Sequence, residues 1–178
     1  MPSRFPPAEV LANYAQLPSV PSRELLLEFL TLNFFEPGSE LQVLEPPDWV
    51  EEPPFLELIQ QEEVRVWAKD VHSRWKLLYR RFNHSASCLE CFSSIALPRP
   101  FVVPGGRFRE PYYWDTYWVV KGLLVSGMTS TVKGMIENFI YMVRSIGFVP
   151  NGARIYYLNR SQPPYLVYLL PPPHLIFK

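Results

Sequence analysis

Apolar positions recur at helical spacing from Arg23 to Phe35, where Leu25, Leu26, Phe29, Leu30 and Leu32 share much of one side. Ser22 offers a side-chain oxygen as N-cap before this stretch, and Glu36-Pro37-Gly38 stops the helix behind it. A longer helix is predicted from about Pro54 to Phe82, with Leu56, Ile59, Val66, Trp67, Val71, Trp75 and Leu78 forming much of one face. The simplest reading of its tryptophans is that they are core. Two further helices are predicted at about Tyr112 to Ser126 and Ser130 to Ile146, separated by Gly127-Met128-Thr129. So short a connection implies an antiparallel hairpin. Phe101-Val102-Val103 is a short extended run ending at Pro104-Gly105-Gly106, and residues 83 to 100 read as loop or short helix. Residues 149 to 158 read as a turn and then a short strand. The class is mostly α.

The chain ends differently from how it runs. Arg160-Ser161-Gln162-Pro163-Pro164 looks like a loop feeding a new helix, but Pro171-Pro172-Pro173 removes backbone donors and blocks the helix within two turns. Pro164 to Lys178 contains no acidic residue and has no obvious polar face. Three segments are therefore expected: a poorly defined stretch over residues 1–20, a helical domain over 21–164, and a divergent, proline-rich apolar tail over 165–178.

The 178 residues are 48% hydrophobic and 19% charged, which suits one folded domain and excludes a disordered tail or a coiled coil. A net charge of zero argues against a dedicated nucleic-acid binder. That balance conceals an asymmetry: the residues up to Glu63 sum to −10 and the remainder to +10. Attraction of the two halves within one fold is the simpler explanation, and a partner site is the other.

Cys88 and Cys91 form a lone C-L-E-C pair; even with His84 nearby they fall short of a four-ligand zinc cage, so no metal or redox role is expected. No run of 18 apolar residues is present, so no transmembrane helix is expected. Met1 to Pro7 lack the apolar core of a signal peptide, which reads as cytosolic unless the natural start lies elsewhere. Asn83-His84-Ser85 and Asn159-Arg160-Ser161 match the glycosylation acceptor pattern, which matters only in a secreted protein.

Chemistry concentrates in Pro104 to Tyr117, P-G-G-R-F-R-E-P-Y-Y-W-D-T-Y. Gly105 and Gly106 permit a sharp turn; Arg107, Arg109, Glu110 and Asp115 follow among aromatic rings. Sugar recognition uses that mixture, because carboxylate and guanidinium bind hydroxyls while aromatic faces cover the C–H faces of a pyranose. Trp114 beside Asp115 supplies a ring and an acceptor together. The competing reading is an aromatic loop that is simply packed. A second polar island holds Asn151, Arg160, Ser161 and Gln162; it is either a binding loop or a turn at Asn151-Gly152 with Arg160 pairing to a helix end.

The pattern P-G-G-R-F-x-E-x-Y-x-W-D-x-Y resembles the first signature of the α,α-trehalases, and P-N-G-x-R-x-Y-Y-L-x-R-S-Q-P-P over Pro150 to Pro164 is similar to that family as well. The resemblance covers roughly residues 20 to 164. It implies that residues 21–164 are the N-terminal part of an (α/α)6 toroid. It implies inverting hydrolysis of trehalose to glucose, with no cofactor and no metal. It places Arg107, Phe108, Trp114, Asp115, Asn151, Arg160, Ser161 and Gln162 at substrate-binding positions on either side of the scissile bond. No catalytic residue is assigned: the family's catalytic aspartate and glutamate lie in segments that this sequence does not contain, and Glu110 and Asp115 match binding and positioning roles instead. Family members occur secreted, anchored and cytosolic, so the resemblance leaves the compartment open. A partial toroid should leave an open edge, with Val119, Val120, Leu123, Leu124, Ile136, Phe139, Ile140 and Met142 as candidates for exposed apolar surface. Poor solubility and self-association through that edge are expected.

Overall fold

The computed structural model describes residues 1–84 and 88–169. Ser85 of the first acceptor pattern and the Pro171-Pro172-Pro173 stop lie outside the described residues. The chain divides into two compact units, one of Met1–Gln42 with Phe82–Ala96 and one of Val43–Arg81 with Leu97 onward.

In the first unit, α1 (Pro7–Tyr14) begins on a proline, whose missing N–H costs nothing in a first turn. In α2 (Arg23–Asn33) the Ser22 hydroxyl accepts from the Leu25 N–H at 3.3 Å, the expected cap. The helices meet at Tyr14 and Phe29, whose rings are 5.6 Å apart edge to face. Asn33 is buried; its side chain accepts from Asn13 and donates to the Phe29 carbonyl. The N-terminal strand of chain is fastened by the Arg4 N–H to the Asn33 carbonyl (2.8 Å) and the Ser3 N–H to the Cys91 carbonyl (2.9 Å). Cys88 and Cys91 are joined to each other in a disulfide around a single 3-10 turn, Leu89–Cys91. His84 stacks between Phe82 and Phe92 and hydrogen-bonds the Ser94 hydroxyl at 2.7 Å.

The strands are short: β1 (Leu41–Val43), β2 (Tyr79–Phe82) and β3 (Phe101–Val102). β2 runs antiparallel to β3, with Tyr79 opposite Val102 and Arg80 opposite Phe101. The single helix expected from Pro54 to Phe82 is therefore three elements: a 3-10 turn (Pro54–Leu58), α3 (Glu62–Leu78) and β2. Ile59 and Gln61 are extended and separate the first two. At the other end the Val103 N–H takes the Leu78 carbonyl at 3.0 Å, and Tyr79 gains burial against the all-but-inaccessible Phe101 and Val102 by leaving the helix. Tertiary pairing overrides the helical period there.

The buried line of α3 is also rotated from the expected one. Ala68 and His72 point inward, whereas Val66, Val71 and Trp67 are exposed, Trp67 by 65%, so Trp67 is not core. The buried ring of His72 sets this rotation. Its Nε2 donates to the Val50 carbonyl (2.7 Å), and its Nδ1 hydrogen-bonds the Ser126 hydroxyl (3.0 Å), which in turn accepts from Trp75 Nε1 (3.1 Å).

α4 (Tyr113–Val125) and α5 (Thr129–Ile146) form the expected antiparallel hairpin, with the Tyr113 ring 5.2 Å from Phe139. Gly147, left-handed at φ 96°, ends α5. The open-edge list is corrected by this packing. Val120, Leu123, Ile136, Phe139 and Met142 are buried in the core with Val132 and Met135; Val119 and Leu124 are half-buried, and Ile140 alone of the set is exposed. Among the exposed apolar side chains are instead Trp67, Trp118 and Val125. The strand expected within 149–158 is one bridge, Tyr112 to Gly152, followed by a 3-10 turn, Ile155–Tyr157. A short α6 (Leu166–Leu169) follows. The fold is mostly α, and no helix among the described residues is long and apolar enough to cross a membrane.

Candidate functional site

The site is built around the N-terminus of α4. Gly105 and Gly106 both take positive φ (102° and 58°), which turns the chain so that Gly105 and Phe108 exchange backbone hydrogen bonds of 3.1 and 3.0 Å. A side chain at Gly105 would also press on Leu78 at 3.1 Å, so glycine answers two demands. The turn displays Arg107 and Phe108 on the surface, the guanidinium 5.0 Å above the ring.

The second polar island returns alongside. The Tyr113 N–H donates to the Asn151 carbonyl (3.1 Å), the Asn151 N–H to the Arg160 carbonyl (3.0 Å), and the Ala153 N–H to the Pro111 carbonyl (3.3 Å). Tyr112, extended at the N-cap position, has no capping side chain of its own. Gln162 fills that role: its Oε1 accepts from the Trp114 N–H at 2.7 Å, satisfying a first-turn donor from 48 positions away. Ser161 donates to the Val149 carbonyl at 2.6 Å and so holds its own loop.

Between the two arginines runs a row of rings. Phe108 meets Tyr112 edge-on at 5.6 Å, Tyr112 meets Tyr157 at 6.1 Å, and Arg160 lies 5.0 Å over Tyr157. A cation thus stands at each end of an aromatic row. Trp114 lies 5.1 Å edge-on to Tyr165, which stacks on Tyr117 at 4.8 Å. Asp115 sits half-buried in the first turn of α4, where an acid complements the helix dipole.

Beneath the row lies a buried ionic pair. Glu110 and Arg154 are 6% and 8% exposed; Arg154 Nε donates to Glu110 Oε2, and the Tyr112 hydroxyl donates to Glu110 Oε1 at 2.9 Å. Burial first, and then the hydrogen bond to Glu110, push the Tyr112 phenol far above its ordinary value, so it stays a donor. Glu110 is a carboxylate held by two donors, not one turned to a substrate. Arg154 stands at the fixed arginine of the second pattern but was not singled out, and neither its pairing with Glu110 nor the capping role of Gln162 is legible in the sequence, because each partner lies dozens of residues away.

Sequence reading placed Arg107, Phe108, Trp114 and Asp115 in one segment and Asn151, Arg160, Ser161 and Gln162 in another; backbone and side-chain bonds join the two at the start of α4. Planar cations, an amide, a carboxylate and aromatic rings thus gather around the start of α4. Among the described residues no cluster of His, Cys, Asp or Glu could hold a metal ion.

The sequence model of a family described as Trehalase matches residues 8–171. Similar proteins include a trehalase of Dictyostelium discoideum, 51% identical over 144 residues, 81% of this chain and 24% of that protein. A trehalase of Homo sapiens is 46% identical over 176 residues, 96% of this chain and 30% of that protein. A trehalase of Apis mellifera is 44% identical over 172 residues, 94% and 28% respectively. The chain thus spans between 24% and 30% of the length of these relatives.

Proposed function

The chain belongs to the trehalase family, and from that premise we propose that it is the substrate-gripping portion of a glycosidase that hydrolyses α,α-trehalose with inversion. In this reading Arg107, Phe108, Trp114, Asp115, Asn151, Arg160, Ser161 and Gln162 bind the hydroxyls and C–H faces of the disaccharide. One observation supports it above the others: segments separated in sequence are bonded together so that Arg107 and Arg160 flank one row of rings at the start of α4. Fixed planar groups orient a sugar before any bond breaks.

The proton donor and water activator are not among these residues. Inversion needs two carboxyl groups about 6.5–9.5 Å apart, and Glu110 is committed to Arg154 and Tyr112. This chain alone is therefore a weak trehalose binder without hydrolytic activity.

Two measurements test the reading. Calorimetric titration should detect trehalose binding at about millimolar Kd, a free energy of about −4 kcal/mol. Arg107→Ala and Arg160→Ala should each weaken it about tenfold, as removal of one charge-assisted hydrogen bond does. A glucose-release assay on the same preparation should show no turnover. Unchanged binding in both variants, or glucose released in proportion to the protein, would overturn the reading.

A further inference from the structure

We propose that Glu110, Arg154 and Tyr112 act as positioning residues, a buried lever that sets where Tyr157 and Arg160 stand relative to Arg107 and Phe108. The proposal rests on the sugar-gripping reading of the same site. Each oxygen of Glu110 has its own partner, Oε2 for Arg154 and Oε1 for Tyr112, so the carboxylate ties one segment to the other in a single orientation. Arg154 passes that orientation on through its backbone. Its N–H donates to the Gly152 carbonyl (2.8 Å), and its carbonyl accepts from the Tyr157 N–H (3.0 Å). Tyr157 carries Arg160 over its ring, and the Arg160 N–H donates to the Tyr157 carbonyl at 3.1 Å. The other arm runs from Tyr112 to Phe108 and so to Arg107.

The space between the arms has no slack. A Cβ at Gly152 would come within 3.0 Å of Tyr157 and 3.1 Å of Tyr112. Both rings therefore close on Gly152, and the Glu110 carboxylate holds the Tyr112 ring directly through its hydroxyl. Apolar packing alone could fill this volume, since a buried ion pair often contributes little net stability. What directional bonds add is a fixed separation between the two arginines, which a sugar of fixed hydroxyl spacing requires.

Removing one charge leaves the other buried and unpaired and could unfold the chain, so the test uses the double variant Glu110→Gln/Arg154→Met beside Glu110→Gln. Native-state hydrogen exchange is read at the Asn151, Tyr157 and Arg160 amides and, for reference, at Val132 and Ile136 in the core of α5. In the double variant the three loop amides should exchange about tenfold faster while the α5 amides stay within about twofold. Trehalose affinity should fall about tenfold. Loop exchange that is unchanged, or that rises in step with α5, overturns the proposal. So does a double variant that fails to melt cooperatively, because the pair would then be a folding requirement. If the unaltered chain binds no trehalose, the sugar reading fails, while the exchange comparison still decides the lever.

Discussion

Tyr79, Tyr112 and Tyr113 all hold their phenolic protons more tightly than an exposed tyrosine does. Burial is the leading cause in each, joined by the Asp48 charge at Tyr79 and by the Glu110 hydrogen bond at Tyr112. An unfolded chain releases these protons once pH passes about 10, whereas the folded chain keeps them. Stability is therefore unaffected by these groups below that pH and falls as pH rises above it. Melting temperature measured from pH 9 to pH 11 should drop steeply at the alkaline end, and Tyr112→Phe should flatten the drop while costing the hydrogen bond to Glu110. Gly152 makes a second case. Gly152→Ala inserts a methyl group against two rings at 3.0 and 3.1 Å, and overpacking of this kind costs about 1–3 kcal/mol in thermal unfolding. An alanine variant as stable as the parent would show that Tyr157 yields freely.

At the scale of elements, α4 and α5 draw their N-terminal caps from elsewhere in the chain. α5 has no capping side chain at Met128; the Asp48 carboxylate serves instead, accepting from the Thr131 N–H at 2.9 Å and from its hydroxyl. Asp48→Ala should lower stability by about 1–2 kcal/mol, the usual cost of a lost N-cap, read as a shift in urea midpoint with unchanged slope. α3 shows the same dependence at its buried face, where His72 is held by Val50 and Ser126 rather than by its helical neighbours. The α4/α5 hairpin, by contrast, was readable in advance. The short Gly127-Met128-Thr129 connection between two helical stretches is a local signal, and Gly147 at φ 96° ends the second helix in the structure. The end of α3 was not readable, because helical spacing continues through Leu78 while the partner that draws Tyr79 into a strand lies at Val102.

At the scale of the molecule, Trp67, Trp118 and Val125 are 60% to 65% exposed within one compact unit. Large exposed apolar side chains favour association. The chain should sediment as a concentration-dependent mixture, and Trp67→Ser with Trp118→Ser should shift it toward monomer without lowering the melting temperature. A sharp monomer boundary at all concentrations would show these rings to be inert. The residues expected from sequence to make this surface are mostly the core of the hairpin, since an apolar helix such as α4 does not announce which side its neighbour will take.

By itself the sequence determined the helical class, the α4/α5 hairpin and the two polar segments. Periodicity, glycine punctuation and motif spacing act within a few residues and need no partner. Tertiary structure alone decided which side of α3 turns inward, where that helix stops, that Gln162 and Asp48 cap helices, and that Glu110 pairs with Arg154. Each of those rests on a hydrogen bond or ion pair between groups dozens of positions apart, and a chain acquires such neighbours only by folding.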